Sequence, residues 1–382
     1  MKPKLIRITT VPISMDKLLY GQLSYMSDYY DITAISSDET YLKKVGEREG
    51  VATHAIEMSR EITPIKDLLA LIALVRLLKR EKPLIVHSHT PKAGIVGMLA
   101  AKIAKVPFRL HTVAGMPLME ATGLKRKILN VVEQLTYACA SHVYPNSVGL
   151  KDIIVNMKFC NPHKLKVLGN GSSNGINTHF FNPDQIPTSQ TDDLRKQYNI
   201  ADSDFVFVFV GRLVKDKGIN ELVIAFEQVQ KFHAHAKLLL VGHYENELDP
   251  LFPKTVALIN QNESIISVGF QTDVRPYLKL SNILVFPSYR EGFPNVVMQA
   301  GAMGLPCIVT NINGCNEIIT EGVNGTIIPV KNEMELKIKM QLYIENPELY
   351  LSQKVNARLQ ITSRYDQKVI WEAIHQEYCS LT

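Results

Sequence analysis

The chain has 382 residues, with 46% hydrophobic and 21% charged side chains and a net charge of +5. That length exceeds what one ordinary core fills, so two domains are expected, and the balanced composition excludes a disordered chain. The modest charge marks neither a nucleic-acid binder nor an inert surface.

The N-terminal stretch MKPKLIRITTVPIS carries an apolar run too short and too interrupted for a signal peptide, and it reads as a first strand. Strand-like runs YDITAIS, PLIVHSH, FRLHTV and KVLGN follow. Between them, LLALIALVRLLKR, AGIVGMLAAKIAK and KRKILNVVEQLTYACA have helical spacing. The first of these is broken by Arg76 and falls short of a membrane span. From Gly169, GNGSSNGINTHFFNPDQIPTSQTDD has the chemistry of a linker. A second series then runs FVFVFVG, INELVIAFEQVQKF, KLLLVG, IISVGF, ILVFPS, PCIVTN and GTIIP, with a helical tail from Glu333 to Thr382.

Alternating strands and helices predict parallel sheets covered by helices. The expected fold is therefore α/β, with two Rossmann-like parallel-sheet domains facing an interdomain cleft, the usual place for a ligand. The expected boundaries are 1–180, 181–364 and a C-terminal helix, 365–382, packing back on the first domain. None of Cys139, Cys160, Cys307, Cys315 and Cys379 forms a C-x-x-C pair. Neither zinc nor a disulfide framework is suggested, and a cytoplasmic protein with reduced thiols is expected.

The stretch FVFVFVGRLVKDKGINELVIAF holds the first candidate site. A buried strand ends at Gly211, Arg212 and Lys217 flank a short loop, and Gly218 opens a helix. A helix N-terminus offers unpaired backbone N–H groups and partial positive charge. Arg212 can grip phosphate oxygens bidentately and Lys217 adds a compact charge, so the pair suits a diphosphate. The ordinary alternative is a solvated basic loop around Asp216; its position directly after a buried strand favours the phosphate reading. Neither G-x-x-x-x-G-K-[ST] nor G-x-G-x-x-G follows a predicted strand, which counts against an NTPase or a dehydrogenase.

The motif G-R-L-V-K-D-K-G from Gly211, followed by S-x-R-E-G-F-P-N-V-V from Ser288, resembles glycosyltransferase family 4. GLPCIVTNINGCNEIITEGVNGTIIP from Gly304 and VHSHTPKAGIVGMLAAKIAKVP from Val86 extend the resemblance over essentially the whole chain. It implies the GT-B fold, with the nucleotide-sugar held by the C-terminal domain and the acceptor mainly by the N-terminal one. It also implies transfer with retention of anomeric configuration and without a metal ion. Arg212 and Lys217 match the family's diphosphate-binding pair. Fixed cations there stabilise charge building on the departing diphosphate.

The resemblance places Glu291 on the donor sugar, with backbone groups of Gly292, Phe293, Pro294, Asn295 and Val296 meeting sugar or phosphate oxygens. It adds Gly211 and Phe270 to the donor-binding set. The family's E-x7-E pattern has its second carboxylate on ribose, where this chain has Gln299. An amide accepts through oxygen and donates through nitrogen, so the contact is weakened, not abolished. Many relatives have T-x-H-G after the fourth strand; Thr112-Val113-Ala114-Gly115 puts Ala114 in the histidine's place. His111 is the remaining candidate catalytic histidine, with a packed histidine as the alternative. The paired glycines of the family's N-terminus are also missing, with Ser14 and Gly21 nearby instead.

Competing signals are weaker. Asp202-Ser203-Asp204 resembles a metal-binding D-x-D but precedes its strand, as a turn would. His87 and His89 share one strand face without an evident third ligand, so a strand-end loop lining the cleft is expected in place of a metal pair. His233 and His235 are expected on the surface. Lys125, Arg126 and Lys127 open a helix with apolar Ile128, Val131, Val132 and Leu135, which could rest on an anionic membrane; an ordinary amphipathic helix with a charged first turn is the plainer account.

The expected activity is a retaining, metal-independent, cofactor-free transfer from a UDP-hexose or UDP-N-acetylhexosamine to a saccharide hydroxyl. The acceptor is a growing surface polysaccharide, expected on a polyprenyl diphosphate, and the enzyme is expected in the cytoplasm, peripheral at the inner membrane face. No nucleic-acid partner is expected. The alternatives are a sugar-nucleotide 2-epimerase of the same architecture and a non-catalytic sugar-nucleotide-binding protein.

Overall fold

A computed structural model describes residues 2–245, 247 and 249–381. The chain divides into two compact units: Met1–Gly175 with Gln367–Thr382, and Ile176–Asp366. The divisions fall a few residues from those expected at 180/181 and 364/365. The long polar stretch after Gly169 is not all linker, because a helix, Thr188–Gln197, starts inside it.

The N-terminal unit holds β1 (Lys4–Ile8), β2 (Asp31–Ser36), β3 (Ala52–Ala55), β4 (Ile85–Ser88), β5 (Phe108–Val113) and β6 (His142–Pro145). They form one sheet in the order β3-β2-β1-β4-β5-β6. The C-terminal unit holds β7 (Phe205–Val210), β8 (Ala236–Val241), β9 (Ile265–Gly269), β10 (Ile283–Phe286), β11 (Cys307–Thr310) and β12 (Gly325–Ile328), in the order β12-β11-β10-β7-β8-β9. All pairings between these strands are parallel. Each sheet therefore has the doubly wound order, reversing between β1 and β4 and between β7 and β10. FVFVFV can be apolar at every position because helices cover both faces of its sheet.

All six strands of the second sheet coincide with apolar runs legible in the sequence. In the first sheet β3 and β6 do not. ATHA is a half-exposed edge strand, and HVYP is four residues with only one aliphatic side chain. Both are strands because a neighbour offers a ladder, not because their own pattern demands it. KVLGN, expected as a strand, is irregular chain; only the start of the segment touches the sheet, through a Lys166 N–H bond to the Val143 carbonyl.

The C-terminal helix, Gln367–Leu381, belongs to the N-terminal unit. It buries Ile370, Ile374 and Tyr378 in one core with Leu5, Leu23, Tyr30 and Tyr144. An apolar stripe at positions 370, 374 and 378 is the helical spacing that such docking requires.

Candidate active site

The carboxyl ends of β7 and β10, adjacent strands at the switch point, carry the two motif loops. After β7 come Gly211, Arg212 and a 3-10 turn, Lys215–Lys217. Gly218 then enters the helix Ile219–Gln230 with φ +71°. A Cβ on Gly218 would lie 2.2 Å from the Pro287 carbonyl oxygen. Glycine is thus required twice: for the left-handed backbone and for the close approach of the β10 loop. The Tyr289 N–H donates to the Asp216 carbonyl at 2.8 Å and ties the loops together.

Lys217 Nζ donates to Glu291 Oε1 at 2.5 Å, and Ser288 Oγ donates to the same oxygen at 3.1 Å. The lysine and glutamate side chains are 15% and 18% exposed, so the pair is shielded yet reachable. Arg212 is more open, and its Nη1 lies 2.5 Å from Glu245 Oε2. Arg290 likewise bonds Asp216, at 2.9 Å. The cations expected to meet phosphate are thus held in place by carboxylates.

Glu291 leads into Gly292, Phe293 and Pro294 and then the helix Asn295–Ala302, which has no side-chain cap. The Asn295 and Val296 amides head that helix, where no preceding turn supplies carbonyls to them. Gln299 is half-buried on the same helix. Phe270 follows β9 with 67% of its surface exposed and its ring 6.1 Å from that of His243. Structure thus places Gly211, Arg212, Lys217, Phe270, Glu291, Gly292, Phe293, Pro294, Asn295 and Val296 in loops and a helix start that follow the strands of one sheet, with Gln299 one turn further along that helix.

Sequence reasoning missed four supports of this edge. Asn313 Nδ2 donates to the Gly292 carbonyl at 3.3 Å, while its Oδ1 is buried without a partner among the described residues. Gly314, at φ +74°, lets the chain pass the Gly292–Pro294 loop; a Cβ there would meet the Gly292 carbonyl oxygen at 2.7 Å. Ser288 braces Glu291, and Glu245 braces Arg212. The N-G dipeptide at 313–314 was the one readable signal, a turn whose contacts lie elsewhere in sequence.

The corresponding edge of the N-terminal sheet is different. His111, the candidate catalytic histidine, is buried: its Nδ1 meets Ser88 Oγ at 2.8 Å, and a Cβ on Gly94 would come within 2.6 Å of its ring. Burial pushes its pKa down to about 4. This is the geometry of a packed, neutral histidine, and its ring is filled against the helix that bears Gly94. Ala114, by contrast, is half-buried beyond the end of β5.

His87 and His89 are not in an open loop either. Both are buried with ring centroids 4.2 Å apart. His87 bonds Tyr378 Oη at 2.5 Å and Thr112 Oγ1 at 2.7 Å. Arg7, wholly buried, donates to His89 Nε2 and Tyr378 Oη, each at 3.1 Å, and to Gln22 Oε1. No carboxylate pairs with Arg7 among the described residues. Burial, then the Arg7 charge and the other histidines, hold both imidazoles well below their ordinary pKa. Asp202-Ser203-Asp204 is a turn, closed by Asp204 accepting the Ala201 N–H at 2.8 Å.

The sequence matches the model of glycosyl transferases group 1 over residues 190–360 and that of the glycosyl transferase 4-like domain over 27–171. It is 31% identical over 376 residues to the capsular polysaccharide biosynthesis glycosyltransferase CapM of Staphylococcus aureus, covering 98% of this chain and 96% of CapM. The chain belongs to glycosyltransferase family 4. It is also 29% identical, over 89% of its length and 86% of the relative's, to the UDP-Gal:alpha-D-GlcNAc-diphosphoundecaprenol alpha-1,3-galactosyltransferase of Escherichia coli. Its fold is that of the crystal structure of HepE from Anabaena in complex with UDP, with a TM-score of 0.80 at 18% identity and full coverage of both chains. This glycosyltransferase therefore has the GT-B fold, and its β7 and β10 loops carry the family motifs.

Proposed function

We propose that this glycosyltransferase moves a hexose or N-acetylhexosamine from a UDP-sugar to a hydroxyl of a polyprenyl-diphosphate-linked saccharide, with retention and without a metal ion or further cofactor. The observation that carries the donor side is the Lys217–Glu291 pair at 2.5 Å, set between two helix starts at the switch point of the second sheet. The UDP-sugar and lipid-linked acceptor are suggested by the E. coli relative's name, and a surface polysaccharide product by that of CapM.

In this reading Arg212, Lys217 and the amides of Asn295 and Val296 receive the diphosphate. Charge grows there as the anomeric C–O bond breaks, and preorganised donors stabilise it without reorganisation. Glu291, fixed by Ser288 and Lys217, accepts hydroxyls of the donor sugar. Phe270 offers its exposed face to the base, and Gln299 addresses ribose. The acceptor oxygen bonds to the anomeric carbon on the face the diphosphate leaves, and its proton passes to the departing phosphate oxygen. We assign the acceptor to the N-terminal unit and the enzyme to the inner face of the cytoplasmic membrane.

Labelled UDP-sugars incubated with polyprenyl-linked saccharides, in the presence of EDTA, test this reading. We expect one donor to give a product with the donor's anomeric configuration. Inversion, a requirement for Mg²⁺, isomerisation of the donor, or binding without turnover would each replace it with a different reading.

A further inference from the structure

The loop after β8 lies outside both motif stretches, yet it runs alongside the one after β7. The two chains leave the sheet in close contact. A Cβ on Gly242 would lie 1.8 Å from the Gly211 carbonyl oxygen, and the Leu213 N–H donates to the His243 carbonyl at 2.8 Å. Glu245, two residues further on, holds Arg212. The Glu245 carbonyl accepts the Asp249 N–H at 3.3 Å, which brings a second carboxylate residue back to the same loop end.

Asp249 bonds the backbone of the turn that carries Lys217. Its Oδ2 accepts the Asp216 N–H at 2.7 Å, and its carbonyl accepts the Lys215 N–H at 3.3 Å. Both N–H groups head the 3-10 turn Lys215–Lys217, where Val214 supplies no side-chain cap. The first N–H groups of a helical turn have no partner within it and need one from outside. Here that partner stands 33 residues away in sequence. Asp216 is held on its other side as well, since its carbonyl accepts the Tyr289 N–H at 2.8 Å. The residue directly before Lys217 is thus gripped between the β8 and β10 loops.

This grip decides where the lysine charge can be. An ammonium is a point charge on a flexible stem, so its reach depends on the backbone that bears it. Lys217 Nζ meets Glu291 at 2.5 Å from a side chain only 15% exposed. Charges aimed at a reacting group lose much of their effect when displaced by about 1 Å.

We propose that Asp249 is a positioning residue for Lys217, acting through the backbone of the 215–217 turn. One loop then sets both cations: Arg212 through Glu245, and Lys217 through Asp249. The effect on ligand binding rests on the reading of this edge as a diphosphate site; the effect on the turn does not.

UDP binding by calorimetry, together with backbone hydrogen exchange across residues 211–222, tests this on the full chain. Asp249→Ala should weaken UDP binding by about tenfold and speed exchange at the 215–217 turn. Asp249→Asn keeps an oxygen that accepts the Asp216 N–H and should bring both readouts back to within about twofold of wild type. In a chain that already carries Lys217→Ala, Asp249→Ala should cost less than about twofold more, because the group it positions is gone. A purely structural brace would instead give the full loss in that background. That result, an Asp249→Asn variant as impaired as Asp249→Ala, or unchanged exchange in Asp249→Ala would each overturn the inference. A wild-type chain that does not bind UDP, with exchange responding as expected, sinks the donor reading and supports the grip on the turn. UDP binding weakened by Lys217→Ala but not by Asp249→Ala sinks the positioning role alone.

Discussion

The two sheets share one strand order, yet their switch points are built from opposite materials. At β1 and β4, Arg7, His87, His89 and Tyr378 are buried and spend their polar atoms chiefly on one another. At β7 and β10, Arg212, Lys217 and Glu291 remain reachable, and the two cations are paired with carboxylates. The same topology can close its crevice with a hydrogen-bond network that buries Arg7 among neutral partners, or keep paired charges within reach of solvent. What differs is whether a helix fills the edge; in the N-terminal unit the C-terminal helix does so with Tyr378.

Acid should separate the units most sharply. Burial lowers the pKa of His87, His89 and His111, so the unfolded chain binds protons that the folded one refuses. Their stabilisation is complete above the ordinary histidine pKa of 6.5 and is lost as pH falls below it, for His111 down to about 4. Glu133, whose carboxyl burial pushes up, acts in the opposite direction, but it is one group against four histidines, since burial lowers the pKa of His142 as well. In calorimetry between pH 7 and 4.5, the transition of the N-terminal unit should fall by many degrees while UDP binding by the C-terminal unit persists. Simultaneous loss of both would remove the contrast.

A smaller effect is expected on the open edge. If the proposed donor site is right, Lys217→Ala should lower kcat/KM by about 10²-fold, roughly 3 kcal/mol, because a shielded cation leaves the developing charge and Glu291 keeps only its bond from Ser288. Arg212→Ala, at the more exposed position, should cost about tenfold. Equal losses from the two would show that shielding does not rank them.

The smallest concerns Gln299. Gln299→Glu should strengthen donor binding by about fivefold, near 1 kcal/mol, with kcat unchanged. A large change in kcat at constant affinity would place this residue at the reacting centre instead of on ribose.

The motif-bearing edge of the second sheet was legible because its information is local. Strand, glycine, cation and helix follow one another within 211–218, and Glu291 stands a few residues past another apolar strand. Asn313 and Glu245 were not legible, since each acts on a loop far away in sequence. His111 shows the same limit from the other side. Its place on β5 could be read, but only the approach of Gly94 and Ser88 shows the ring is packed.

Sequence by itself determined the two parallel α/β units, the six strands of the second sheet and the family motifs, because apolar periodicity and turn chemistry act over a few residues. Tertiary structure alone decided that HVYP and ATHA are strands and that Arg7 is buried among neutral partners. Those outcomes depend on which surfaces neighbours cover. Burial, and the ladder a strand can join, are properties of the assembled fold, which no window of sequence contains.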